Sequence, residues 1–288
     1  MKTAVLTVVY EEVQSYINDF MNSLQKQTDT NFDLIIINDG FNQLEKFVSR
    51  FNINSRILHF KTSFVGTRKQ GIRWLKEEGY DTVVFADSDD YFNWQRVELT
   101  KKLLINYDLV CNELILFGEN ISGIMPMASS RFYDGQLLTL KNIYHGNIMG
   151  MSNTGARLKC ILPLIDIIPD DVVAFDWILY SLALLKGCTC VFTNKAKTYY
   201  RQHSNNIASP QDYTEEQIIR GVKIKQRYYQ MMCNYAKDYH LYVKEFDRLL
   251  KRLDNNIFRD EYCKAVRANA PEHPLWWEAI KTDRELNL

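Results

Sequence analysis

The sequence contains no Cys-x-x-Cys pair; its six cysteines stand scattered at 111, 160, 188, 190, 233 and 263. That scatter matches neither a zinc site nor a disulfide framework, so six free thiols in a reducing cytosol are expected. Net charge is also missing, because 35 Lys and Arg balance 35 Asp and Glu. The balance argues against an electrostatic grip on nucleic acid as the main activity. No apolar run approaches the ~18 residues of a membrane span. The longest, Val172 to Leu185, is broken by Asp176 and reads as a buried helix. The opening MKTAVLTVVYEE lacks the apolar length and cleavage site of a signal peptide and reads as a first strand. No glycine follows that strand in Val9-Tyr10-Glu11-Glu12. Its absence argues against the phosphate loop of a nucleotidyltransferase and the G-x-G-x-x-G of a dinucleotide oxidoreductase. The expectation is a cytoplasmic protein, at most peripheral to the inner face of the membrane.

What is present is enough apolar surface for a sizeable core, with 46% of 288 residues hydrophobic. Strand-like runs at Ala4–Val9, Leu34–Ile37, Arg56–Phe60 and Thr82–Ala86 alternate with helical patterns at Glu11–Gln27, around Leu44–Val48, and at Gly66–Glu78. This alternation predicts an α/β fold with a mostly parallel sheet flanked by helices. Ligands in such sheets bind at the carboxyl ends of the strands. Further strands are expected at Leu109–Phe117 and Thr189–Thr193, with Lys197–Gln202 an edge strand or extended segment. The stretch from Ile121 to Thr154 reads as a loop-heavy binding region. A boundary falls at Ser209-Pro210, dividing residues 1–208 (nucleotide-binding half 1–107, acceptor-binding half 108–208) from a helical C-terminal extension, 209–288. Thr214-Glu-Glu-Gln217 is a capping-box pattern that opens that extension.

"VVFADSDDYF", Val83 to Phe92, crowds Asp87, Asp89 and Asp90 at the end of a hydrophobic strand. A solvated turn with a helix N-cap is the plain explanation for such a cluster. At a ligand-binding edge, however, two carboxylates at i and i+2 can share a divalent cation or divide it with a ribose. Oxygen ligands favour Mg2+ or Mn2+, which take part of their coordination from substrate phosphates. A nucleoside diphosphate ligand is therefore implied.

Six segments in order then carry a resemblance: Val8-Val9-Tyr10, Asn38-Asp39-Gly40-Phe41, "GTRKQGI" (66–72), "FADSDD" (85–90), "FDWILYSLALLKG" (175–187) and "YYRQHSNN" (199–206). Together they resemble the family-2 glycosyltransferases of the GT-A fold across most of residues 1–208. The sequence departs from the family at Asn38, Phe41, Lys69 and Phe175.

The resemblance implies a metal-dependent, inverting enzyme that moves a sugar from a nucleoside-diphosphate sugar, a UDP-sugar first among the donors, to a hydroxyl acceptor. It implies Mn2+ or Mg2+ as cofactor, a role in cell-surface polysaccharide or glycolipid synthesis, and an acceptor that includes lipid-linked saccharides. Tyr10, Asp39, Arg68, Asp87, Ser88 and Arg201 are then donor-binding residues, with Asp39 at the nucleobase. Asp89 and His203 become metal ligands, His203 with phosphate as its other role. Asp176 becomes the general base; a structural ion-pair partner is the other reading, since an unpaired buried carboxylate costs several kcal/mol. Arg68 can equally be a solvated helix charge, and Asp39 an ordinary turn residue. Trp177 reads as core or as an acceptor platform, and His145 and Asn147 as weaker acceptor candidates.

The extension offers two readings. Tyr228, Tyr229, Tyr235, Tyr239, Tyr242, Lys223, Lys225 and Lys237 form either a basic-aromatic surface toward a lipid-linked acceptor or a helical hairpin packed on the catalytic half or on a second subunit. "PLWWEAI" (274–280) docks on the core or touches a membrane interface. A nucleotidyltransferase and a catalytically silent nucleotide-sugar binder remain as alternative functions. The first lacks its phosphate loop, and the second does not explain why both the Asp-x-Asp and Asp176 are kept.

Overall fold

The computed structural model describes residues 1–119, 123, 125–203, 213–271 and 274–288. Asn205, Asn206 and Ser209-Pro210, which figured in the sequence motifs and the boundary, lie outside the described residues, as does Ile121. The chain begins with strand β1 (Thr3–Tyr10), helix α1 (Ile17–Gln25), β2 (Asp33–Asp39), α2 (Leu44–Val48), β3 (Ser55–Leu58), α3 (Phe64–Glu77) and β4 (Thr82–Asp87). The order is the expected one. The helix predicted from Glu11 is broken, because Glu11–Ser15 forms a 3-10 turn and α1 starts only at Ile17.

Next come β5 (Tyr91–Phe92), α4 (Arg96–Leu103), β6 (Leu109–Gly118), β7 (Met125–Pro126), β8 (Leu137–Leu138), β9 (Thr154–Arg157), α5 (Leu158–Ile165), α6 (Phe175–Leu185) and β10 (Cys190–Gln202). The extension supplies α7 (Glu215–Met232), α8 (Tyr239–Arg252) and α9 (Asn256–Ala268). Among the described residues the strands form one sheet in the order β3-β2-β1-β4-β9-β6-β10-β5, with β7 on β6 and β8 on β10. β1 pairs in parallel with both β2 and β4.

Alternation along the strands divides the core between the two faces of the sheet. Ala4, Leu6, Ile35, Ile37, Val83 and Phe85 face α3, α5 and α6. Val5, Val9, Leu34, Ile36 and Val84 pack with apolar side chains of α1 and α2. Gly71 explains itself by close approach: a Cβ there would sit 2.7 Å from Ile37 Cδ1.

Several expectations need correction. The two segments expected at Thr189–Thr193 and Lys197–Gln202 merge into the single strand β10, which begins at Cys190 and has a register shift between Thr193 and Lys197. Lys197–Gln202 does not lie at an edge, because β6 pairs on one side and β5 on the other. α6 begins at Phe175 rather than Val172, so Asp176 stands in its first turn instead of interrupting its interior. Cys160 and Cys188 form a disulfide that joins α5 to the turn after α6, with Cα atoms 6.5 Å apart. Their separation of 28 residues carries no motif that could have announced it.

The extension packs on the catalytic half. The capping box forms, with Thr214 Oγ1 accepting from the Gln217 amide. Tyr228, Tyr229 and Tyr239 are buried in the same apolar cluster as α6, and so are Leu275, Trp276 and Ile280 of the "PLWWEAI" stretch. Burial removes them from any membrane-facing surface. Trp177 is core as well: fully buried, stacked on Tyr228 at 3.8 Å, its indole donating to the Ile143 carbonyl. Asn147 is likewise buried, its side chain bonded to both backbone groups of Met149. No described helix is long and apolar enough to cross a membrane.

Lys225 fixes the C-terminal segment. Its ammonium donates to the carbonyls of His145 (2.7 Å), Ile280 (2.6 Å) and Trp277 (3.4 Å), with only 2% of the residue exposed. Lys225→Met fills similar space but leaves these carbonyls without their donor. A loss of about 1–3 kcal/mol is expected, read as a lower melting temperature. An unchanged melting temperature would show that the pin contributes nothing.

Candidate active site

Three adjacent parallel strands end in polar groups at one edge. Tyr10 ends β1, paired in register with Asp39 of β2, while Asp87 of β4 pairs with Val8. Asn38 shapes the loop beyond β2 by accepting from the Phe41 amide (2.8 Å) and donating to the Phe41 carbonyl (3.1 Å). Gly40 takes a φ of +100°, which glycine adopts without strain. Asp39 is left exposed beside this locked turn.

From the neighbouring α3, Arg68 reaches the same edge. Its guanidinium lies over the Phe64 ring (3.6 Å), and an Nη stands 4.0 Å from Asp87 Oδ1. Burial pushes the Arg68 pKa down, while Asp87, Asp176, Tyr10 and Asp39 act against that shift. These four groups therefore share one electrostatic site with Arg68. It is not a solvated helix charge, since only 14% of its side chain is exposed.

The crowded carboxylates are offset one by one. Asp89 Oδ2 meets His203 Nε2 at 3.0 Å, both side chains 9% exposed, and the His203 ring stacks on Tyr16 at 5.2 Å. Asp90 is fully buried, accepting from the Ser152 hydroxyl and, at 2.8 Å, from the Arg201 amide. Burial and its acidic neighbours hold its carboxyl well above the ordinary range. Asp87 is pushed up to about 6 by burial and by Asp89, with Arg68 and Arg96 pulling the other way. Burial, then Asp89, Asp87 and Asp90, also raises the Tyr10 phenol.

Two arginines anchor this loop. Arg201 donates from Nε to the Asp89 carbonyl (2.9 Å) and from Nη2 to Asp19 (2.6 Å), with Tyr16 and Phe117 near its guanidinium at 4.6 and 4.7 Å. Its guanidinium thus holds the acidic loop to α1. Arg96, fully buried, binds the Phe85 carbonyl (2.7 Å) and Asn112 (2.9 Å), and lies over Phe92 at 3.6 Å. The sequence reading missed Arg96, Tyr16 and Asp19; the available signal was an arginine beside Val97 and Thr100 on the apolar side of α4. Ser88 requires a correction. Expected at the donor, it is fully buried and donates to the Val8 carbonyl at 2.8 Å, tying the loop to β1.

Asp176 faces the same site from α6. Its Oδ1 accepts from the Trp177 amide at 2.7 Å, and among the described residues it has no ion pair. Burial pushes its pKa up to about 7; Asp87 adds to the rise, and the Trp177 amide and Arg68 oppose it. A half-buried carboxylate that titrates near neutrality can take up a proton during a reaction. His145 lies elsewhere, its ring 3.3 Å from the Tyr229 hydroxyl.

Could the site hold a divalent cation? Cis ligands of an octahedral ion at 2.0–2.1 Å lie about 3 Å apart, and Asp89 Oδ2 and His203 Nε2 already have that separation. Among the described residues no three His, Cys, Asp or Glu converge to bind a metal on their own. The residues therefore fit an ion that takes its remaining ligands from substrate phosphates.

The chain matches the family model "Glycosyl transferase family 2" over residues 4–155, more than half its length. The chain belongs to that family. It is a glycosyltransferase, as the sequence motifs implied. Relatives include the dTDP-rhamnosyl transferase RfbG of Shigella flexneri, 23% identical over 67% of this chain and 70% of that protein. The poly(ribitol-phosphate) beta-N-acetylglucosaminyltransferase TarS of Staphylococcus aureus is 23% identical over 78% of this glycosyltransferase but only 40% of its own length. The crystal structure of S. aureus TarS 1–349 in complex with UDP-GlcNAc superposes with a TM-score of 0.60. It covers 94% of this chain and 77% of that one at 19% identity. That likeness establishes the GT-A fold.

Proposed function

We propose that this glycosyltransferase moves a sugar from a nucleoside-diphosphate sugar, with a UDP-sugar the leading donor, to a hydroxyl acceptor with inversion. The observation that carries the reading is the meeting of Asp87, Arg68 and Asp176 beside the Asp89–His203 pair at the carboxyl edge of β1, β2 and β4. The Asp176 carboxylate takes the proton of the acceptor hydroxyl. The hydroxyl oxygen attacks the anomeric carbon, and the carbon–oxygen bond to the diphosphate breaks on the opposite face. The bonding pair leaves with the diphosphate, so configuration inverts and no covalent enzyme intermediate forms. Asp89 and His203 would hold Mn2+ or Mg2+, which when bound neutralises charge on the leaving diphosphate. Arg68 supplies fixed positive charge at the same edge. The names of RfbG and TarS, a dTDP-rhamnosyl and an N-acetylglucosaminyl transferase, support a nucleotide-sugar donor and a cell-surface polymer acceptor.

Asp39 is assigned to the nucleobase. Loss of a hydrogen bond to a charged acceptor is worth about 1.5–3 kcal/mol. Asp39→Ala should therefore weaken UDP binding roughly 10–100-fold in calorimetry, with kcat at saturating donor nearly unchanged. Unaltered UDP affinity would remove Asp39 from the donor site.

The reading as a whole is tested by thermal stabilisation with UDP-, GDP-, dTDP- and CMP-sugars, with and without Mn2+. A ligand bound only by the folded state raises apparent stability by mass action. A shift that needs both a UDP-sugar and Mn2+ is expected; no shift with any of the four would overturn it.

A further inference from the structure

The segment that carries the acidic loop runs directly into Asn93-Trp94-Gln95. Trp94 leaves 64% of its surface exposed, yet its backbone is fixed, its carbonyl accepting from the Thr28 amide (2.8 Å) and hydroxyl (3.3 Å). Asn93 locks the same turn to β10, donating to the Lys195 carbonyl (3.1 Å) and accepting from the Lys197 amide (2.8 Å). A rigid turn that holds an indole in solvent gains no core packing from it.

The indole borders a cavity of about 490 Å³, of a size that holds small ligands. Gln95, Asn194 and Lys197 line it, and among the described residues none of their side-chain polar groups has a hydrogen-bond or ion-pair partner. Glu113, 1% exposed, also lines it. Its Oε1 accepts from the Leu114 (3.0 Å) and Ala128 (2.8 Å) amides, its Oε2 from Ser129 alone (2.7 Å). One acceptor position of Oε2 is therefore left, since each carboxylate oxygen can take two donors.

A flat aromatic face, two idle amides, an ammonium and a carboxylate acceptor match the two sides of a pyranose. Its C–H face packs on the electron-rich indole, and its hydroxyls exchange hydrogen bonds with the rest. Trp94 follows Asp90 by four residues, at most about 13 Å of extended chain at 3.3 Å per residue. The cavity therefore adjoins the acidic loop, but Arg68, Asp87, Asp89, Asp176 and His203 do not line it.

We propose that the Trp94 cavity is a second saccharide-binding site, which holds a further portion of a polymeric acceptor while its end is extended. The site stands on its own residues; its role as an acceptor subsite rests on the transferase reading above.

The test follows the five tryptophan indole N–H signals of the full chain by NMR, Trp94 being assigned from Trp94→Phe. Cellohexaose, chitohexaose and maltohexaose are titrated in turn, and UDP with Mn2+ separately. The Trp94 signal should move progressively with at least one hexasaccharide, and Gln95→Ala with Asn194→Ala should weaken that response at least several-fold. A Trp94 signal unmoved by all three, or a response unchanged in the double variant, overturns the site. A protein that responds to the saccharide but binds no nucleotide loses the transferase reading and keeps the site. One that binds UDP without moving Trp94 in saccharide loses only the site.

Discussion

Asp176→Asn is expected to lower turnover by about 10²–10⁴-fold, the usual range for loss of a general base. Asn keeps the shape and can still accept from the Trp177 amide, so UDP and Mn2+ binding should stay near wild type. Stability separates this role from a structural one. Breaking a buried ion pair would cost about 3–5 kcal/mol, whereas Asp176 has no ion pair among the described residues. The melting temperature at pH 8 should therefore be unchanged or slightly higher. The sign follows from the raised pKa: a carboxyl that binds its proton more tightly when folded favours the fold below about pH 4. That contribution is lost as pH rises through about 7. Catalysis runs the other way. The base must be ionised, so kcat/KM should fall about tenfold per pH unit below about 7. An acid limb displaced to pH 4, or full activity in Asp176→Asn, would remove Asp176 from the reaction.

Asp89→Asn should abolish metal-dependent turnover while the fold survives. The substitution is isosteric and can keep a hydrogen bond to His203, so only the anionic ligand is lost. Mn2+ should then no longer strengthen UDP binding, measured by calorimetry with and without the ion. His203→Ala should show a smaller loss in the same direction, because imidazole is the neutral member of the pair. If Asp89→Asn retains both turnover and the Mn2+ effect on UDP, the cation lies elsewhere.

The parallel half of the fold was legible because β1, β2 and β4 are buried on both faces, and such strands read as unbroken apolar runs. Their carboxyl ends placed Tyr10, Asp39 and Asp87 together before any coordinates. Asp176 was legible for another reason, as a charge against an apolar segment, although its helix begins later than the apolar pattern suggests. The supports of the acidic loop were not legible. Arg96, Ser152 and the Tyr16–Asp19 pair come from three separate stretches of chain, and only the folded sheet brings them around Asp89 and Asp90. Ser88 misled because side chains alternate: between two carboxylates at the loop it turns inward to Val8. The tyrosines of the extension left two readings open, since a helix rich in Tyr and Lys looks amphipathic whether its aromatic face meets a membrane or α6; burial of Tyr228, Tyr229 and Tyr239 decides for packing.

The most direct measurement is release of UDP from UDP-sugars by the full chain, with Mn2+ or with EDTA, in wild type, Asp89→Asn and Asp176→Asn side by side. Mn2+-dependent release in the wild type, lost in Asp89→Asn and reduced at least about 10²-fold in Asp176→Asn, is the predicted result. Release that survives EDTA, or that both variants support at the wild-type rate, would contradict the account.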